Sequence, residues 1–283
     1  MGTLFDFNQA VQLLSRGFVQ TALLAGAVLG LVAGVLAPLI VARNMAFSVH
    51  ATAEIAFSGG AAALLLGISV GYGALGAAVI IAIVLGLLSR RDTERDSVIG
   101  VLLAFGLGVG VLLLSMYTGR SSNKFGLLVG QIVGVDSMSL ALLVGSSIVV
   151  LVVLAMIYRP LRFASVDREV AVARGVPDAW LTVVFAVLVG VATALGVQTV
   201  GSLLVMSLMI TPGAAANRVT ANPLLATVLS VVFAEVAILG GIVLSLPTSV
   251  PVSPFVTAIS FVIYLVCRAV GTARVTPALA VRT

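Results

Sequence analysis

His50 and Glu54 lie four residues apart in the stretch R-N-M-A-F-S-V-H-A-T-A-E-I-A-F-S-G-G, residues Arg43 to Gly60. His50 is the single histidine of the chain, and Glu54 and Glu235 are the two acids that fall inside apolar segments. On a helix this spacing stacks histidine and carboxylate on one face, one turn apart. An ionisable pair inside an apolar segment is expensive to bury, so it marks a functional site by default. One imidazole nitrogen and one carboxylate form a mixed donor set that suits Zn²⁺, Mn²⁺ or Fe²⁺. Two donors are too few for tight binding, which fits an ion in transit. The pair also fits a structural His–Glu hydrogen bond, or a water-filled cavity with no metal.

The segments that must position this pair are membrane helices. Of 283 residues, 61% are hydrophobic and only 9% are charged, against about 25% charged in an average soluble domain. The mean hydropathy is +1.26. Several apolar runs exceed the roughly 18 residues that indicate a spanning helix. The chain therefore reads as one polytopic, all-α membrane domain over residues 1–283. Its 29 glycines fit close helix approach. The pI near 10.1 does not point to nucleic acid, because the arginines are scattered between apolar spans. The single cysteine, Cys267, excludes an intramolecular disulfide and a cysteine metal cluster; it reads as a small buried hydrophobe. The first residues lack a basic n-region, so the first apolar run is expected to be a retained span.

Nine spans are expected, at about 18–42, 45–68, 73–89, 97–116, 137–157, 179–196, 200–216, 223–245 and 255–270, with eight if one segment is re-entrant. Residues 5–16 suggest a surface helix, Gly71-Tyr72-Gly73 a turn, Arg90–Asp96 a solvated loop, and 125–135 a short re-entrant or interfacial helix. Gly26, Gly30 and Gly34 form a small-xxx-small ladder. With the N-terminus outside, twelve arginines fall on the inner side: Arg43, Arg90, Arg91, Arg95, Arg159, Arg162, Arg168, Arg174, Arg218, Arg268, Arg274 and Arg282. The outer side receives Arg16, Arg120 and Lys124. The positive-inside bias selects this orientation, with the C-terminus inside. It places His50 and Glu54 in the inner half of the second span.

The sequence holds no G-x-x-x-x-G-K-[ST] phosphate loop. If transport is ATP-driven, another chain hydrolyses the ATP, and this one is not an enzyme. The inner loop 158–178 contains a short amphipathic helix at about 165–176. Ser165 is its expected N-cap, and Asp167 and Glu169 suit its first turn. Val166, Val170 and Ala173 form its apolar face. Arg174, a C′ Gly175 and Pro177 end it. Such a helix is either a linker resting on the membrane surface or a docking element for a cytosolic partner.

Three stretches in register resemble the permease subunits of the zinc/manganese and iron-chelate ABC importers, the ABC-3 family. Arg43–Gly60 is similar to the family's Arg-x-Met-Ser-Phe segment with its Asp-Ala-Leu-Ser-His core. Asp167–Val176, D-R-E-V-A-V-A-R-G-V, is similar to the acidic-Ala-x-Ala-x-Gly loop that serves as the ATPase-coupling helix. Val200–Ala216 is similar to the Val-Gly-x-Leu-Leu-Val … Pro-Ala-Ala-x-Ala helix. The resemblance implies a type II importer permease fold, like the vitamin B12 importer permease without its first helix, in the cytoplasmic membrane of a prokaryote. It further implies a homodimer, two ATPase subunits, an extracytoplasmic metal-binding protein, and a divalent metal as cargo rather than as a stably bound cofactor. Asp167, Glu169, Ala173, Arg174 and Gly175 then belong to the coupling helix. The family commonly has Asp then His four residues apart; here His50 precedes Glu54, so the two donors have traded places.

Glu235 sits near the middle of the eighth span, where it is expected to face the bundle interior or the pore. It is protonated, paired with the His50 region, or part of the cation path. Asp136 reads as a cap, Met206 and Met209 as core, and Thr211-Pro212-Gly213 as a bend whose freed carbonyls can line a cavity. The leading reading is an ABC importer permease for a divalent transition metal. The alternative is an ion-coupled secondary transporter with His50, Glu54 and Glu235 as a relay. A non-transporting scaffold needs no buried ionisable pair.

Overall fold

The computed structural model describes residues 16–88, 95–119, 137–248 and 250–280. The surface helix expected at 5–16, all but the last two residues of the charged run Arg90–Asp96, the segment 125–135 and Asp136 fall outside these, Arg16 alone excepted. Among the described residues ten helices follow one another: α1 (Gly17–Ala42), α2 (Ala46–Leu66), α3 (Val70–Leu88), α4 (Arg95–Met116), α5 (Ser137–Val166), α6 (Arg168–Ala173), α7 (Asp178–Val200), α8 (Ser202–Val219), α9 (Pro223–Ser245) and α10 (Val252–Ala280). No strand occurs among the described residues. Eight of the helices are long and apolar enough to cross a membrane. The remaining long helix, α8, ends in Ala-Asn-Arg-Val and carries Thr211, Pro212 and Gly213 inside it, which lowers its apolarity. It nevertheless packs into the bundle against α1, α7, α9 and α10.

The inner helices are α1, α2 and α7, with 67%, 61% and 72% of their apolar cores buried, whereas α4, α5 and α10 bury only 22%, 22% and 17%. Phe105, Leu112, Met156, Phe261 and Leu265 project outward from those outer helices, as expected of side chains that meet lipid or a second protein. Two packing groups share the inner helices. α2 packs on α3 and α4, while α9 packs on α1 and α10; α7 and α8 join the groups.

Close approach explains several of the glycines inside helices. A Cβ at Gly73 would collide with the carbonyl oxygen of Gly59, so α2 and α3 cross at a glycine pair. This corrects the expected Gly71-Tyr72-Gly73 turn: α3 already begins at Val70. The reversal lies at Gly67 (φ 71°), where Gly67 N–H donates to Leu64 and Ile68 N–H to Ala63, a Schellman end. The ladder on α1 faces α9, for a Cβ at Gly34 would lie 2.5 Å from Cα of Val231.

The α1–α2 corner is built the same way. Asn44 takes φ 52°; its N–H donates to Val41 at 3.2 Å, and Met45 N–H donates to Ile40 at 2.9 Å. Asparagine is the usual substitute for glycine at this left-handed position. Between α7 and α8, Gly201 adopts φ 87°, ψ 158°, a region open only to glycine, and the predicted break at Gln198–Ser202 falls there.

α5 runs through Pro160 to Val166, nine residues past the span expected at 137–157. At 1.5 Å per residue, its 30 residues are about 45 Å long, more than a hydrocarbon layer of about 30 Å requires. Its last turns, with Arg159 and Arg162, therefore extend beyond the apolar zone. Ser165 is thus not an N-cap. It lies in the last turn of α5 and donates to Leu161 O at 2.7 Å.

Candidate functional site

α2 carries His50 and Glu54 on one face, with Nδ1 of His50 4.0 Å from Oε1 of Glu54. That is too long for a hydrogen bond, so a direct structural His–Glu bond does not account for the pair. The Glu54 side chain is 3% exposed and that of His50 29%. Nδ1 of His50 and Oε2 of Glu54 are buried and meet no hydrogen-bond partner. Buried polar atoms are nearly always satisfied, and a carboxylate left this way is costly unless something binds it. The backbone beneath is tied to a neighbouring helix. The single Ser58 hydroxyl proton is shared between two acceptors, Glu54 O at 3.1 Å and Gly106 O of α4, and a Cβ at Gly106 would lie 3.1 Å from the Glu54 carbonyl carbon. The glycine of α4 thus lets two helices touch at the level of the acid.

Glu235 does not join this pair. Its carboxylate sits over Gly30 of α1, where an added Cβ would lie 3.0 Å from Oε1. The notch exists because residue 30 has no side chain. α9 packs on α1, α8 and α10, and α2 packs on α3, α4, α7 and α8, so the two acids belong to different groups of the bundle. No cluster of three or more His, Cys, Asp or Glu side chains occurs among the described residues. Met209 is buried in the hydrophobic core, as a packing side chain, and Cys267 is buried too. Gly213, after Pro212, lets α8 press against the Ala37–Pro38 backbone of α1.

At the Arg43 end of the bundle lies a second polar assembly, which the sequence did not disclose. Asp178, the first residue of α7, is 4% exposed. Its Oδ1 accepts from Arg43 Nη2 at 3.0 Å and its Oδ2 from Arg168 Nε at 2.8 Å. Arg43 also donates to Thr182 Oγ1 at 2.6 Å and to Ser165 Oγ at 3.3 Å. The α1–α2 corner, the end of α5, the start of α6 and the start of α7 are joined by one carboxylate and two guanidinium groups. A cavity of about 270 Å³ opens beside it, lined in part by Pro38, Arg162, Ser165 and Asn217, and it contains none of His50, Glu54 and Glu235.

α6 is only six residues long, too short to persist alone, and its ends hold it. Asp167 is the N-cap, accepting from Val170 N at 3.0 Å. At the other end Gly175 (φ 82°) donates to Val172 and Val176 donates to Ala171, so the stop falls where Gly175 predicts it. The apolar face differs from expectation. Ala171 is the buried residue, while Val166, Val170 and Val172 are exposed (81%, 43% and 54%) and Ala173 faces outward with Glu169 and Arg174. α6 therefore presents an exposed surface of mixed apolar and charged character.

A family model described as the ABC 3 transport family matches residues 15–271. The manganese transport system membrane protein MntC of Halalkalibacterium halodurans is 30% identical over 83% of this chain and 80% of its own length. The manganese import system permease protein ScaB of Streptococcus parasanguinis is 28% identical over 70% of this chain and 71% of its own. Among solved structures, PsaBC from Streptococcus pneumoniae in complex with Fab superposes with a TM-score of 0.82 at 22% identity, covering 93% of this chain and 95% of that one. At that identity the likeness establishes the fold.

Proposed function

We propose a function from one premise: the chain belongs to the ABC 3 transport family. It is the membrane-spanning permease of an ABC importer that moves a divalent transition metal, manganese first and zinc or iron as related cargo. The names of two relatives, both manganese transporters, support the choice of manganese. The observation that carries the reading within this chain is the buried, unpartnered donor pair of His50 and Glu54. Two donors make a weak, transient site, and water or a second copy of the chain supplies the remaining positions. The order His then Glu, reversed from the common family pattern, leaves the donor chemistry unchanged.

In this reading the Arg43 end is cytosolic, in line with the arginine distribution, with the N-terminus outside in a prokaryotic plasma membrane. ATP is hydrolysed by two partner subunits that dock on the exposed surface of α6, and an extracytoplasmic protein delivers the ion. The outward apolar faces of the outer helices accommodate lipid and the second permease copy. Alternating access follows when rigid groups of helices rock against each other.

The test is manganese uptake by cells or proteoliposomes containing the assembled importer. His50→Ala and Glu54→Ala should each lower uptake at least tenfold at unchanged membrane abundance. Wild-type uptake in both variants removes the site. Glu169→Ala and Arg174→Ala, on α6, should keep the protein in the membrane and break the link between ATP hydrolysis and uptake. If both leave docking and uptake normal, α6 is not the docking helix.

A further inference from the structure

The Asp178 assembly sits between α6 and the helix that carries His50 and Glu54. We propose that Arg168, Asp178 and Arg43 form a relay that carries movement of α6 to the α1–α2 corner, with Asp178 as the positioning residue at its centre. This rests on the importer reading given above.

Three features argue for a relay rather than a scattered set of surface contacts. First, the two carboxylate oxygens are divided: one holds Arg168, the first residue of α6, and the other holds Arg43, on the corner. Displacing α6 pulls on Arg168 and hence on a carboxylate that is also bound to the corner. Secondly, the parts on either side are stiff. Arg43 stands on a corner closed by two backbone bonds around Asn44, and α6 is closed at both ends by its caps. Stiff bodies joined by short, charge-assisted bonds move together; flexible ones would absorb the displacement. Thirdly, the corner leads into α2 with only Asn44 and Met45 between Arg43 and Ala46, and His50 lies on the second turn of that helix. The same guanidinium reaches Thr182 and Ser165, so the start of α7 and the end of α5 follow it.

Two kinds of measurement test the relay. In the isolated permease in nanodiscs, hydrogen–deuterium exchange of the segment 163–176 should rise at least fivefold in Asp178→Asn and in Arg168→Gln, with the α7 interior unchanged. Arg43→Gln should leave that segment protected and raise exchange at the corner, residues 39–48. Unchanged exchange in Asp178→Asn overturns the relay, and this holds whether or not an ATPase binds. In the assembled importer, Arg43→Gln should keep the ATPase bound and hydrolysing while manganese uptake falls at least tenfold, and Arg43→Lys should restore part of it. Full uptake in Arg43→Gln overturns the proposal. Should Asp178→Asn fail to fold, the two arginine variants decide it, since each leaves Asp178 one guanidinium. Failure of the wild-type chain to hold any ATPase would instead defeat the importer reading, leaving the exchange result standing.

Discussion

Two polar assemblies interrupt this apolar bundle, and they are built on opposite principles. Around Asp178 every oxygen of the carboxylate is bonded, and Arg43 spreads its donors over three partners. Around Glu54 one carboxylate oxygen and the facing histidine nitrogen are buried without partners. A saturated assembly binds parts of the chain to one another. An unsaturated one leaves donors free, which is what the proposed passage of an ion would use. Burial alone does not separate them, because both carboxylates have side chains 3% exposed. What separates the two is whether the hydrogen-bonding capacity is used up, and the proposed transit site rests on that difference.

Substitutions that remove one polar group from each assembly test this difference. The largest loss of stability is expected for Asp178→Ala, which leaves the buried guanidinium of Arg43 without its counter-charge; breaking a buried pair this way costs about 3–5 kcal/mol. Thermal unfolding in detergent, followed by the single tryptophan Trp180 two residues away, would show it as a clear drop in midpoint. A midpoint equal to wild type would mean that the Asp178 assembly is not a structural tie. Gly175→Ala comes next, because φ 82° imposes about 1–2 kcal/mol on a residue with a Cβ; limited proteolysis of the 167–178 loop should accelerate while the spans stay intact. Asp167→Ala removes the N-cap of α6 at a cost of about 1 kcal/mol, and exchange at the Val170 amide is the direct check.

The smallest stability effect is expected for Glu54→Gln. It replaces a carboxyl whose Oε2 is buried without a partner by an amide of the same shape, so the unfolding midpoint should stay level or rise while manganese uptake falls at least tenfold. A midpoint drop as large as that of Asp178→Ala would erase the distinction between the two assemblies.

Much of this architecture is legible in the sequence because hydropathy is a local property. Most of the spans, the break at Gln198–Ser202 and the stop at Gly175 follow from runs of apolar residues and from glycine's access to positive φ. The errors have a common cause. Hydropathy reports apolarity, not helicity, so it ends α5 at its arginines although the helix continues to Val166. Read that way, Ser165 looks like a cap and Gly71-Tyr72-Gly73 like a turn, whereas Gly73 serves a helix crossing. On α6 the periodicity suggested Val166, Val170 and Ala173 as the inward face, whereas the bundle accepts only Ala171; a six-residue helix is oriented by what holds its ends.

For the candidate site, the sequence by itself determined that His50 and Glu54 share a helical face inside an apolar segment, since a spacing of four fixes that for any α-helix. It left open whether they bond to each other, and it placed Glu235 only by depth. Tertiary structure decided these points. The histidine and carboxylate stand 4.0 Å apart, and Glu235 lies in the notch over Gly30 on another packing group. It also decided the partner of Asp178, which in sequence is an ordinary acid after a proline. Arg43 is 135 positions away, and no local pattern encodes a contact at that separation. Such a pairing exists only once the bundle has brought the ends of α1, α5 and α7 to one place, where leaving water makes an unpaired charge too costly to keep.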